Sequence, residues 1–63
     1  MYDYEFRFAD KESFDAFNSI VYDEELWSLA DENKLVVVVN SIFENTAAYL
    51  YELIEERGLR LLN

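Results

Sequence analysis

The segment Leu35–Val39 places a leucine before four consecutive valines, and it constrains the fold more than any other part of the chain. Valine is β-branched and favours strands. A strand that is apolar on both faces is typical of the middle of a sheet. A central strand requires a neighbour on each side, so the sequence predicts at least two further strands.

The N-terminal segment Tyr2–Phe8 is the clearest of these neighbours, because aromatic and charged residues alternate along it. A period of two with aromatic residues predicts a strand. Its charged face carries Asp3, Glu5 and Arg7. Its aromatic face and three further phenylalanines give the predicted aromatic core, which consists of Tyr2, Tyr4, Phe6, Phe8, Phe14, Phe17 and Phe43.

A helix is predicted from about Lys11 to Tyr22. Asp10 stands at the N-cap position, and Glu12 in the first turn suits the helix dipole. Apolar residues then follow at helical spacing, at Phe14, Phe17, Ile20 and Val21. This spacing gives the helix one apolar face.

The segment Glu24–Ala30 is compatible with a strand or with a short helix. Asp31–Lys34 resembles a hairpin loop, in which Asn33 tolerates the left-handed conformation that such loops need. We favour strand, turn and strand, because the valine segment needs its second neighbour.

A second helix is predicted to open at Ser41, since Ser41 and Glu44 form a capping-box pattern. Gly58 stands where a helix ends on a left-handed residue. A short terminal strand, Leu59–Leu62, is expected after it. The predicted inward stripe consists of Phe43, Ala47, Leu50 and Ile54, widened by Thr46, Tyr51 and Leu53.

The resulting order, β-α-β-β-α-β, predicts a compact α+β fold of the ferredoxin-like type. Two helices would cover one face of a four-stranded antiparallel sheet. If Glu24–Ala30 were helical, the fold would have a three-stranded sheet and three helices. We expect residues 1–63 to form a single domain.

The chain has no cysteine and no histidine, so its sequence excludes disulfides and argues against zinc, haem and iron–sulfur sites. It also lacks the commonest catalytic bases and nucleophiles. The pattern of acids and a turn glycine that a calcium loop needs is absent. We expect no enzyme activity, no cofactor and no metal site.

Charge is the strongest functional signal, because 14 acidic residues outweigh 5 basic ones and the net charge is −9. Such a charge repels nucleic acid and anionic membranes. RNA-recognition domains share the predicted order of elements, but they carry basic residues that this sheet lacks. No segment is apolar for long enough to span a membrane. The acidic N-terminus does not resemble a signal peptide, and a cytoplasmic location is expected.

The charge favours a basic partner, and we expect a DNA mimic that occludes the basic nucleic-acid site of a target protein. In size and acidity the chain resembles small phage-encoded inhibitors of restriction, CRISPR, repair or nucleoid proteins, which act against host defence or in host takeover. The expected partner-binding residues are Glu12, Asp15, Asp23, Glu24, Glu25, Trp27, Asp31, Glu32, Glu44, Glu52, Glu55 and Glu56.

Other functions stay open at this stage. The chain could be a small regulatory or antitoxin-like module that binds through its sheet face or Trp27, or a ligand-sensing or structural dimer. In these cases its acidity would serve solubility only. Trp27 itself could instead be an ordinary core residue of an edge strand.

A homodimer is also expected. The valine segment leaves apolar side chains on the sheet face that carries no helices, and such a face favours association.

Overall fold

The valine segment forms the middle strand of a three-stranded antiparallel sheet in the computed structural model, which describes residues 2–41 and 43–62. The elements in chain order are β1 (Tyr2–Arg7), α1 (Lys11–Asp23), β2 (Trp27–Asp31), β3 (Val36–Ser41) and α2 (Thr46–Arg57). β3 lies between β1 and β2. Among these residues the fold is α+β with two helices. The alternative with a three-stranded sheet and three helices is confirmed for the number of strands and wrong for the third helix, because residues 27–31 form a strand.

The sheet register assigns each strand residue to one of two faces. One face is buried under the helices, and we call the other, which carries no helices, the open face. Val38 lies opposite Glu5 on β1 and opposite Leu29 on β2. Side chains alternate between the faces of a strand, so these three share the open face. The other face is buried under the helices and carries Phe6, Val37 and Val39.

The hairpin between β2 and β3 forms as predicted, but its left-handed residue is Leu35 (φ 57°) rather than Asn33. β3 therefore begins one residue later than the valine pattern suggested, at Val36, and it continues to Ser41. Asp31 explains this geometry. Its carboxylate accepts hydrogen bonds from the backbone N–H groups of Asn33 (3.0 Å) and Lys34 (3.2 Å), which close the turn before Leu35 is reached.

Helix α1 starts where the sequence predicted. The Asp10 carboxylate accepts a hydrogen bond of 2.7 Å from the Ser13 backbone N–H, and this bond satisfies a donor that the first helical turn leaves free. It also holds the pKa of Asp10 below its ordinary value. The buried face of α1 consists of Ser13, Phe14, Phe17, Ile20 and Val21.

Helix α2 starts at Thr46, so the predicted capping box at Ser41 is wrong. Ser41 is instead the last residue of β3, with its side chain buried. Its hydroxyl hydrogen-bonds the Thr46 hydroxyl at 2.7 Å and accepts from the Phe43 backbone N–H at 3.0 Å. The Tyr4 hydroxyl donates to the Glu44 carbonyl at 2.8 Å, and this contact holds the segment before α2. The second position of the motif, Ile42, lies outside the described residues.

The late start of α2 changes its predicted apolar stripe. Leu50, Ile54 and Thr46 are buried as expected. Phe43 precedes the helix and is 63% exposed, so its assignment to the core is wrong. Tyr51 is exposed, although its ring packs against Phe6 with centroids 5.1 Å apart.

The end of α2 is confirmed. Gly58 has a left-handed backbone (φ 67°, ψ 31°), and its N–H donates to the Glu55 carbonyl at 3.1 Å. The N–H of Leu59 then donates to the Ile54 carbonyl at 3.0 Å. These two bonds satisfy carbonyls at the helix end.

The predicted terminal strand is reduced to one bridge, between Phe8 and Leu61. The Leu62 N–H donates to the Arg7 carbonyl at 2.8 Å, and the Ala9 N–H donates to the Arg60 carbonyl at 2.9 Å. A longer strand does not form because the Arg60 N–H donates to the Ser13 hydroxyl on α1 (2.9 Å) instead of to β1.

The core lies between the sheet and both helices. Phe17 of α1 sits at its centre, with its ring 4.9 Å from that of Phe6 and 5.0 Å from that of Phe8 between centroids. Of the other predicted aromatic core residues, Phe14 is buried, Tyr4 is half-buried and Tyr2 is 42% exposed, so Tyr2 does not belong to the core. Within residues 2–41 and 43–62, neither helix is long and apolar enough to cross a membrane.

Candidate interaction surfaces

The acidic side chains expected to bind a partner are all exposed. They divide by position into three groups. The first group, which we name the acidic helix layer, consists of Glu12, Asp15, Glu52, Glu55 and Glu56. The second group flanks strand β2 and consists of Asp23, Glu24, Glu25, Asp31 and Glu32. Glu44 stands apart, in the turn before α2.

Contacts at both ends bring the two helices side by side in opposite directions. At one end, Ser13 in the first turn of α1 accepts the hydrogen bond from Arg60, just beyond α2. At the other end, the Tyr49 hydroxyl of α2 donates to the carboxylate of Glu24, just beyond α1, at 2.7 Å. The acids of α1 and α2 therefore belong to a single layer of the molecule.

Tyr49 contacts one acid and is affected by the charge of another. Its pKa is raised, first by the hydrogen bond to Glu24 and also by the negative charges of Glu24 and Glu56. A neutral phenol is favoured where carboxylates surround it. Glu24 and Glu56 therefore act on the same spot, although they are far apart in the chain. The sequence alone had no signal for this contact.

Lys11 partly neutralises the acidic surface, an effect that the sequence pattern alone did not predict. Its ammonium group lies 3.2 Å from the Asp15 carboxylate and 2.8 Å from that of Glu32. The hydrogen bonds to Glu32 and Asp15 raise the pKa of Lys11. Lys11 and Asp15 stand four residues apart on a helix, and this spacing could have predicted their ion pair. It could not have predicted the pair with Glu32.

Trp27 lies on the open face of the sheet and is 70% exposed, so the alternative that made it a core residue is wrong. Leu29 lies two residues further along β2 and is 66% exposed. The sequence did indicate that Trp27 and Leu29 share one face of the strand. Large residues at Trp27 and Leu29 alternate with small ones at Ser28 and Ala30, and this alternation puts both large residues on one face.

Charged residues surround the apolar centre of the open face. Asp3 lies opposite Asn40 on β3, and Arg7 lies opposite Val36. Arg7 forms an exposed ion pair with Glu5 at 3.2 Å. A shallow depression at the same end is lined by Glu5, Arg7, Asp31, Lys34, Val36 and Leu62.

The described residues offer no obvious site for a metal. Among residues 2–41 and 43–62, no three acidic side chains are grouped closely enough to hold an ion. The buried hydroxyls of Ser13, Ser41 and Thr46 all have hydrogen-bond partners within the protein.

Comparison with known proteins returned no relative: no protein family, no curated protein and no solved structure matches the chain.

Proposed function

We propose that the chain is a non-enzymatic binding protein that acts as a DNA mimic and occludes the basic nucleic-acid site of a target protein. One observation carries the proposal. The acids of both helices are exposed in one layer of a molecule whose net charge is −9. A surface of that sign attracts basic sites and speeds association with them.

Mimicry of short DNA needs the assembled acidic surface, because α2 alone is sparser in charge than DNA. Duplex DNA carries one charge per about 1.7 Å of its axis. α2 has 12 residues, so it is about 18 Å long. Its acids all lie within residues 52–56, and this short stretch approaches the charge density of DNA more closely than the helix as a whole. The longest dimension of the molecule is 28 Å, which corresponds to about eight base pairs.

Lys11 sets a limit on which acids take part. Because it already pairs with Asp15 and Glu32, the acids of α2 carry the larger share of the mimicry. Glu24, which accepts the hydrogen bond from Tyr49, extends this surface toward the end of α1. The target's arginines and lysines would meet Glu52, Glu55 and Glu56 first.

Affinity capture from a bacterial lysate tests the proposal and identifies the target. The immobilised protein is washed, then eluted in steps with salt and finally with duplex DNA. We expect duplex DNA to release a basic, DNA-binding protein, because both ligands compete for one site. Capture of a partner that neither salt nor duplex DNA releases would contradict mimicry.

The second candidate is a regulatory or antitoxin-like module that binds through its sheet face. The exposure of Trp27 and Leu29 on the open face favours it, since tryptophan is a frequent anchor of protein interfaces. Under this alternative the acidity serves solubility. Replacing Trp27 by alanine would then abolish binding, and replacing the α2 glutamates by glutamine would leave it unchanged.

Three finer points belong to the same proposal. The bridge between Phe8 and Leu61 supports a ferredoxin-like arrangement in which the fourth strand is shortened to a single pair. The open sheet face supports a homodimer, and sedimentation equilibrium at high concentration tests it. A target that handles nucleic acid also supports action in the cytoplasm.

A further inference from the structure

Strand β2 forms an edge of the sheet, and its residues 27–30 carry no charge, proline or bulge that would block the edge. The sheet order is β1-β3-β2, so β3 lies on only one side of β2. Its register with β3 runs without a bulge from Trp27, opposite Asn40, to Asp31, opposite Val36. No proline or lysine stands within residues 27–31. Edge strands without such devices are templates for pairing with another chain.

Both faces of this edge are open to an added strand. On the open face of the sheet, Trp27 and Leu29 are exposed. On the helix side, Ala30 is also exposed, although its partner on β3, Val37, is fully buried. Ser28, on the same side of β2, is half-buried, so the helices cover the start of β2 and leave its Ala30 end open. The opposite edge differs, because the segment around Leu61 bridges the end of β1.

Charge decides which kind of strand fits. Asp23, Glu24 and Glu25 precede β2, and Asp31 and Glu32 end it. If a second copy paired antiparallel with β2, the acids before the strand in one copy would meet the acids after it in the other. Like charges placed in this way are unfavourable. A basic segment would meet opposite charge most strongly beside the three acids that precede β2, because Lys11 already pairs with Glu32 at the other end of β2.

We propose that the edge of β2 takes up an extended basic segment of the partner protein as an added strand, next to Trp27 and Leu29. The inference rests on the proposed function, because it assumes a basic partner and adds where that partner is held. Main-chain hydrogen bonds would supply affinity, and alternate side chains would supply specificity. The segment would carry apolar residues at alternate positions and lysine or arginine at its ends.

A capped peptide, Lys-Lys-Val-Thr-Val-Thr-Val-Lys-Lys, is the probe. Trp27 is the only tryptophan in the chain, so its fluorescence reports the site directly. We expect its emission to shift to shorter wavelength and the amide exchange of β2 to slow by at least about tenfold in the complex. A β2 whose exchange does not change when the peptide is bound would overturn the inference.

Backbone methylation of the peptide tests strand addition without changing the protein. Two versions are compared, with N-methyl groups on the valines or on the threonines. Alternate N–H groups of an added strand face β2, so one version should bind at least about tenfold more weakly and the other should bind like the parent. If both bind like the parent, no strand is added.

A matched pair of variants tests the charge at the same exposed position. Ala30→Lys should weaken binding of the peptide by at least about tenfold, because lysine protects edges and repels a basic strand. Ala30→Glu should bind at least as well as the native chain. Equal binding by the two variants would contradict a basic occupant.

Three further results separate this inference from the proposed function. A peptide with glutamine in place of lysine that binds equally well would overturn the basic preference. A basic peptide that shifts only the amides of α2 would overturn the inference and leave the acidic helix layer as the binding surface. Protection of β2 that rises with protein concentration alone would assign the edge to a second copy.

Discussion

Asp10 and Ser13 together connect the start of α1 with the segment that follows α2. It accepts the backbone N–H of Ser13, and the Ser13 hydroxyl accepts the backbone N–H of Arg60. The start of α1 and the segment after α2 are thus fixed at the same point. Because the folded state lowers the pKa of Asp10, the stabilisation is present at neutral pH and is lost as the pH falls through the folded-state pKa.

Replacing Asp10 by alanine should lower the thermal midpoint of unfolding at neutral pH, since the helix loses its cap. The difference from the native chain should shrink at a pH well below the ordinary pKa of aspartate. Asp10→Asn is the control, because asparagine also caps helices but does not titrate there. A difference that stays constant with pH would mean that the Asp10 charge plays no part.

Gly58 allows a test of backbone strain that is free of packing effects. A Cβ at this position would meet nothing within 4 Å, so the left-handed backbone alone determines the cost. Gly58→Ala should lower the free energy of unfolding by about 1 kcal/mol, as measured by urea denaturation. Gly58→Asn should cost less, because asparagine tolerates this conformation. A larger loss for asparagine than for alanine would contradict this explanation.

Among the elements, β1 and α1 follow closely from sequence because each has one strong period, and the central strand follows because four consecutive valines favour a buried strand. α2 does not. The Ser41 and Glu44 pattern indicated a helix start, but Ser41 is the last residue of strand β3. The Ser41 hydroxyl hydrogen-bonds the Thr46 hydroxyl. A local capping pattern could not reveal that this serine is needed inside the sheet and the core.

The start of α2 predicts a contrast between two apolar side chains. Leu50 is fully buried, whereas Phe43 is 63% exposed. Leu50→Ala should lower the free energy of unfolding by about 2–5 kcal/mol. Phe43→Ala should change it by less than about 0.5 kcal/mol. Denaturation of both variants in urea is the measurement, and a large loss for Phe43→Ala would place that ring in the core after all.

The candidate surfaces were only partly predictable, for a related reason. Exposure of the acids follows from their chemistry and could be predicted one residue at a time. The pairing of Lys11 with Glu32 and of Tyr49 with Glu24 depends on how separate elements pack. The exposed edge of β2 likewise appears only once the helices are seen to stop short of Ala30.

At the scale of the whole molecule, the net charge of −9 acts against the compact state. The ion pairs of Lys11 and Arg7 are exposed and contribute little. Added sodium chloride should therefore raise the thermal midpoint of unfolding, because at 0.1 M it largely screens repulsion between exposed charges more than about 10 Å apart. The Glu52→Gln, Glu56→Gln double variant should show a smaller rise. A midpoint that falls with salt would indicate that ion pairs dominate.

The central claim is that the acidic helix layer binds the target. The most direct measurement compares the affinity of the captured partner for three forms of the protein: native, Glu52→Gln with Glu56→Gln, and Asp3→Asn with Glu5→Gln. The two double variants remove the same charge from opposite faces of the molecule. We predict that the α2 variant binds at least about tenfold more weakly and that the sheet variant binds like the native chain. Equal affinity for all three forms would contradict the claim.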